Sequence, residues 1–459
     1  MTVGVLVALV VIVLVILLAC EVPVAFALGT AGVLGLVLLD GFGLAHTTLG
    51  RLPFQSTSRY SLIIVPMFIL MGLLAMHGGI ADDVFKVGDR LLRRLPGGLG
   101  LATIFACGCF AAVSGSSVAT VATVGRTSVA KMRSYGYDTT FAAGIVGAAG
   151  TLGVLIPPSV VLVLYGIITG ESIGRLLIAG IIPGVLSALL YAATVSLRAH
   201  RSPALTGRQL TASPTAAGPS SALPQSPPRS LKAAGREPLR YSLPGMVRIA
   251  VIFTVVVGGI YTGIFTATES AALGGFVALL LTLPRLVRSE TRATRTLALA
   301  ARDSATVTSM IFAILIGASL FTFFLVRAGV PTAFTRWVLG LDVPPLMILI
   351  LLLAVMVPLG MALDPVSILL ISVPLAYPVI TGLGFDGIWF GILTVKMIEL
   401  GLITPPVGLN AYVLAGSIEG VTVEQAFRGL GPFFAVDLFT VAILVAAPGL
   451  VLWLPGTIG

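Results

Sequence analysis

Apolar residues dominate this chain in long blocks, with neither the period of two of a half-buried strand nor the regular polar face of a surface helix. The blocks fall at about 3–20, 23–39, 61–78, 98–130, 139–170 and 174–197, and again at about 246–264, 267–284, 306–326, 344–381, 387–417 and 432–454. Apolar runs of about 18 residues or more predict helices that cross a bilayer. A membrane β-barrel would instead show short segments of alternating polarity. Between the two sets lies a Pro/Ala/Ser-rich stretch, SPTAAGPSSALPQSPPRS, flanked by Arg198 and Arg240, which predicts a solvated linker. The expected organisation is a first repeat over 1–197, a cytoplasmic linker over 198–245 and a second repeat over 246–459.

The halves share landmarks at nearly one spacing. Gly79-Ile80 opens a short amphipathic stretch and is matched by Gly329-Val330, 250 positions on; Pro157-Pro158 recur as Pro405-Pro406, 248 on; Ser114–Ser117 correspond to Asp364–Ser367, 250 on. The fourth block of each half (98–134 and 344–381) has a Gly-Ser or Asp-Pro centre and reads as a re-entrant hairpin. The fifth (139–170 and 387–417) reads as a helix broken at its double proline. Each half then crosses the membrane five times, and the second is inverted relative to the first. The prediction is an all-α polytopic membrane protein of two inverted-topology repeats with re-entrant hairpins and broken helices. With the N-terminus outside, 21 of the 27 basic residues fall on the cytoplasmic side and five outside, Lys396 lying within a block. That asymmetry is what the positive-inside rule requires.

Composition agrees. Hydrophobic residues make up 57% of the 459 and charged residues 10%, with a mean hydropathy of +1.09. Too few charges are present to hydrate the surface of a soluble enzyme, and the pattern excludes a disordered chain or a coiled coil. The net charge of +9 is explained by basic cytoplasmic loops rather than nucleic acid. Cys20, Cys107 and Cys109 lie in apolar runs without matching ligands and read as small hydrophobes; His46, His77 and His200 form no cluster. No basic segment precedes Val3–Ala19, which reads as a retained helix rather than a cleaved signal.

Three features carry chemistry. In Ser114-Gly115-Ser116-Ser117, followed by Thr120 and Thr123, small polar residues interrupt an apolar run. Such residues can simply let helices pack closely; at a re-entrant tip they also present oxygens and a helix N-terminus, suited to a cation and an anionic substrate. The symmetric partner favours the site. The breaks at Pro157-Pro158 and Pro405-Pro406 can be kinks, but two prolines in succession also strip carbonyls of their donors, and their recurrence in both halves favours ion-ligating carbonyls. Asp364 either faces a cation or caps the second hairpin helix, with Pro365 at its first position; both can hold. Lys396 and Glu399, three apart, read as a structural pair along one helix face rather than a proton relay. Glu21 and Glu269 read as boundary residues. No cofactor box, phosphate loop or nucleophile motif is present.

SGSSVATVATVG, GTLGVLIPPS, LDPVSILLISVP and GLITPPVGLN, in this order, closely resemble the large membrane subunit of the tripartite ATP-independent periplasmic (TRAP) transporters of bacteria and archaea, and the resemblance runs from PVAFALG at 23–29 to the end. It implies an elevator-type fold of the ion-transporter superfamily. It also implies Na⁺-coupled import of an organic acid (a C4-dicarboxylate, sialic acid or similar carboxylate) across the bacterial inner membrane. The implied partners are a small membrane (Q) subunit and a periplasmic substrate-binding (P) protein; no enzymatic activity, organic cofactor or nucleic acid is implied. Carried onto this sequence, one Na⁺ site would comprise Ser114, Ser117, Gly153, Ile156 and Pro158. A second would comprise Asp364, Thr404, Pro405 and Gly408, with substrate around Ser116 and Asn410. The runner-up is a stand-alone secondary anion permease. A channel is disfavoured, because channels assemble symmetric subunits around a pore whereas an internal inverted pair suits alternating access.

Overall fold

The computed structural model describes residues 2–207, 243–287 and 290–457, all helical or connecting, with no strand among them. Seven helices are long and apolar enough to cross a bilayer, and eight if the bent pair Thr139–Leu155 and Val160–Thr169 is one span. Large apolar side chains such as Ile12, Phe42, Leu189, Phe276 and Trp453 face outward, as the surface of a multi-pass membrane protein requires.

The hairpins and broken helices recur in both halves. Hairpin 1 is Gly98–Ser114 and Ser117–Ser134; hairpin 2 is Pro345–Ala362 and Pro365–Gly382. The first broken helix is Thr139–Leu155 and Val160–Thr169, and the second is Gly387–Leu402 and Leu409–Ser417. Asp138 and Asp386, 248 apart, cap the two broken helices by accepting from Phe141 N (2.8 Å) and Trp389 N (2.9 Å), each cap contributing about 1 kcal/mol. The amphipathic helices Ile80–Leu92 and Val330–Leu339 both follow a glycine in the left-handed region, Gly79 and Gly329. This is the predicted architecture of inverted-topology repeats with hairpins and broken helices.

Two expectations need correction. Phe42–Thr57 is a helix where no apolar run predicts one, because His46, Thr47, Thr48, Arg51 and Gln55 interrupt it. Its counterpart explains it: positions 42–77 shifted by 250 become 292–327, and Glu290–Arg327 is one continuous helix. The first half builds the same arm in pieces, Phe42–Thr57, a 3₁₀ turn at Tyr60–Ile63, and Ile64–His77. Second, Ile181–Arg201 and the turn Pro203–Thr206 extend into the stretch expected as linker; 208–242 of that stretch lie outside the described residues.

The arms and the helices Val3–Ala19, Val24–Asp40 and Ala267–Val287 form a flanking frame around a central body. That body contains the hairpins, the broken helices and the late helices Ile181–Arg201 and Val423–Ala446. Every residue of Gly387–Leu402 is buried, as is 141–150 of the first broken helix. Between the arms and the central body opens a cavity of about 350 Å³, lined by Gln55, Arg59, Ile168, Thr322, Leu370 and Pro374 among others.

Candidate functional site

Hairpin 1 turns within two residues. Gly98–Ser114 ends at Gly115, whose φ of +62° is left-handed and whose position leaves no room for a side chain: a Cβ would lie 2.6 Å from the Pro158 carbonyl oxygen. Ser116 then caps Ser117–Ser134, accepting from Ala119 N at 3.4 Å. Thr120 Oγ1 donates to the Ser116 carbonyl (2.7 Å) and lies 3.0 Å from Ser114 Oγ. Ser114 and Ser117 are both buried.

This tip sits on the first break. The short turn Leu152–Leu155 ends at Ile156, Pro157-Pro158 follow in a cis peptide, and Ser159 restarts the helix by accepting from Leu162 N at 3.2 Å. Prolines 157 and 158 have no N–H, so the carbonyls of Gly153 and Val154 lack their usual donors four residues on. Gly153 lies directly beneath the tip: a Cβ there would come within 2.6 Å of the Ser116 carbonyl oxygen and 2.9 Å of Thr120 Oγ1. Ser114, Ser116, Ser117, Gly153 and Pro158 are thus brought together. Ile156 turns its side chain toward Gly184 instead.

The second half is arranged differently. Asp364 caps Pro365–Gly382: Oδ1 accepts from Val366 N (3.0 Å) and Ser367 N (3.1 Å), and Oδ2 from the Ser367 hydroxyl. The capping reading is therefore realised. Thr404 Oγ1 donates to Leu400 O at 2.5 Å. Pro405-Pro406, also cis, are exposed with Val407, whereas the first proline pair is buried. Gly408 stands near the Thr404 carbonyl, so these two come together. No hydrogen bond joins Asp364 to either, since the second broken helix meets hairpin 2 a turn away from its tip, at Gly360 against Gly401.

Asn410 is fully buried, and among the described residues neither of its amide atoms has a hydrogen-bond partner. Its helix runs parallel to Ser117–Ser134: Leu414 and Ile418 meet Gly125, and Arg133 donates to the Glu419 carbonyl at 2.7 Å. Continuing that register carries Asn410 toward the N-terminal turns of Ser117–Ser134.

The pairing expected of Lys396 and Glu399 is not formed. Lys396 Nζ bonds Asp437 Oδ1 at 2.5 Å, and Tyr191, which also donates to Asp437 Oδ1 at 2.5 Å, lies 3.0 Å from Thr151 Oγ1. All four are fully buried, and they tie Val423–Ala446, Ile181–Arg201 and both broken helices together. Glu399 instead reaches across the halves to hairpin 1, where Oε1 accepts from Ser117 Oγ at 3.1 Å. The signal that could have revealed this is Asp437, a second acid inside an apolar block: one buried lysine had two acids to choose from. No cluster of three or more His, Cys, Asp or Glu able to hold a metal exists among the described residues. The groups at the first tip are hydroxyls, carbonyls and the Glu399 carboxyl behind Ser117, a hard oxygen set that fits an alkali cation better than a transition metal.

A family model described as the tripartite ATP-independent periplasmic transporter, DctM component, matches residues 11–450. The chain belongs to this family of transporter permeases. It is a membrane transport protein, not an enzyme. It is 33% identical to a C4-dicarboxylate TRAP transporter large permease protein of Pseudomonas aeruginosa, covering 94% of each chain. It is 29% identical to a sialic acid TRAP transporter large permease protein of Vibrio cholerae, covering 96% of each. With an isethionate TRAP transporter permease protein of Oleidesulfovibrio alaskensis, named as a DctMQ protein, it shares 30% identity over 96% of this chain and 65% of that one. Its fold is similar to that of the Alcanivorax borkumensis YdaH transporter, with a TM-score of 0.61 and 17% identity over 90% of each chain.

Proposed function

We propose that this permease imports an organic acid across the bacterial inner membrane in symport with Na⁺. The observation that carries the proposal is the seating of the hairpin 1 tip on the first proline break. Ser114 and Ser117 are buried there, Thr120 Oγ1 joins Ser114 Oγ to the Ser116 carbonyl, and Gly153, whose carbonyl the prolines leave without its usual donor, lies directly beneath. An oxygen pocket at a broken helix suits a dehydrated Na⁺. The second ion belongs near Asp364, Thr404, Pro405 and Gly408, where hairpin 2 has to settle onto its own break to complete the site.

The substrate anion sits between Ser116 and Asn410. The unpaired Asn410 amide offers a donor and an acceptor, and the N-terminus of Ser117–Ser134 favours negative charge. Relatives named for a C4-dicarboxylate, sialic acid and isethionate all carry a carboxylate or sulfonate, which supports an organic anion. The hairpins and broken helices move as one elevator body against the arms, and the cavity at their boundary provides the room. A small membrane subunit and a periplasmic binding protein complete the transporter.

The test is reconstitution. Uptake of a radiolabelled organic acid into proteoliposomes should require the small subunit and the loaded binding protein. Uptake at the full rate by this chain alone would replace the tripartite reading with that of a stand-alone anion permease.

A further inference from the structure

We propose that Glu399 is a positioning residue that orients the Ser117 hydroxyl toward the cation pocket at the hairpin 1 tip; this rests on the Na⁺ reading above. A serine hydroxyl has one hydrogen and two lone pairs. It can ligate a cation only if its hydrogen points elsewhere. Ser117 Oγ donates to Glu399 Oε1 at 3.1 Å, so the hydrogen is directed at Glu399 and the lone pairs are left for the pocket. Groups behind a ligand that fix its orientation tune ion binding in this way.

Three observations separate this from incidental packing. Ser117 is 2% exposed and Glu399 fully buried, so no bulk water competes for the hydroxyl. Among the described residues Glu399 Oε2 has no hydrogen-bond partner, so the carboxyl is held in an unfavourable place with Ser117 as its one hydrogen-bonded contact there. The nearby cation, Lys396, is engaged by Asp437 and does not draw Glu399 away. Glu399 also lies on the second broken helix, five residues before Thr404. A hydroxyl of the first pocket is thereby held by the helix that forms the second.

The experiment measures the Na⁺ concentration giving half-saturation of the full chain in lipid nanodiscs, by equilibrium binding of radioactive Na⁺, choline chloride keeping ionic strength constant. Glu399→Met, similar in length but without an acceptor, should raise it about five- to tenfold, the value of one lost buried hydrogen bond. Glu399→Gln keeps an oxygen acceptor and should stay within about twofold of wild type, since the acceptor rather than the charge orients the hydroxyl. Glu399→Asp, shorter by one methylene, should behave like Met. In the Ser117→Ala background, Glu399→Met should add no further shift. A midpoint, unlike a melting temperature, is insensitive to a uniform loss of stability, and Glu399→Asp serves if Met prevents folding. The inference is overturned by a Met variant with the wild-type midpoint, by Gln behaving like Met, or by an additive shift on Ser117→Ala. A wild type indifferent to Na⁺ overturns the Na⁺ reading itself, and this inference with it.

Discussion

Gly153→Ala places one methyl group where hairpin 1 meets the first break. The added Cβ would lie 2.6 Å from the Ser116 carbonyl oxygen and 2.9 Å from Thr120 Oγ1, against ordinary contact at 3.4–4 Å. The nearest atom is tip backbone rather than the end of a flexible side chain, so the tip has to retreat by about 0.8 Å to restore ordinary contact. The 3.1 Å Ser117–Glu399 hydrogen bond is lost once about half of that shift is directed away from Glu399. Overpacking costs about 1–3 kcal/mol and the lost bond about 1 kcal/mol. An empty tip relaxes away from the methyl, whereas an ion-loaded tip has to stay seated, so most of this falls on the loaded state. Two kcal/mol corresponds to about a thirtyfold rise in the Na⁺ concentration for half-maximal uptake. Uptake into proteoliposomes titrated with Na⁺ measures it. Gly416→Ala, exposed and with nothing within 4 Å, is the control and should be unchanged. A Gly153→Ala protein with wild-type Na⁺ dependence and rate would refute the seated-tip geometry.

Lys396→Met leaves Asp437 buried without its cation and should lower unfolding stability by about 3–5 kcal/mol, while Lys396→Met with Asp437→Leu should recover most of it; thermal unfolding of the purified protein reports both, and equal stability of single and double variants would contradict the pairing. Asp364→Asn keeps the cap, because Asn caps as well as Asp; we expect an unchanged melting point with a raised Na⁺ requirement, and an unchanged requirement would leave Asp364 as a cap alone. In a Cys20→Ser background, a cysteine at Ser213 should label only from the cytoplasm and one at Thr457 only from outside; labelling of both from one side would overturn the inverted topology drawn from the basic residues.

Much of this fold was legible because a membrane helix advertises itself by length and apolarity. The hairpins and breaks were equally legible, since Gly115, Pro157-Pro158 and Pro405-Pro406 act through the backbone and need no tertiary knowledge. The arm Phe42–Thr57 was not, because half of its surface is polar and the arm recurs as one unbroken helix only in the second half. The partner choice of Lys396 was hidden for a different reason. Spacing along one helix offers Glu399, but the winning partner, Asp437, arrives from a helix about 40 residues away and brings the Tyr191 hydroxyl with it. Local periodicity carries no information on which buried charge a distant helix will meet. The difference between the two breaks, one buried under its hairpin and one exposed, was equally beyond a sequence whose motifs are nearly symmetric.

The central claim is that Na⁺ drives transport through oxygen pockets at the tips and breaks. Its most direct test is uptake of the organic acid by the reconstituted transporter under an inward Na⁺ gradient, under choline replacement, and with a protonophore at fixed Na⁺. Uptake should vanish in choline and survive the protonophore when membrane potential is clamped. Uptake that persists unchanged in choline and collapses with the protonophore would show that protons drive it, and would contradict the assignment of both pockets.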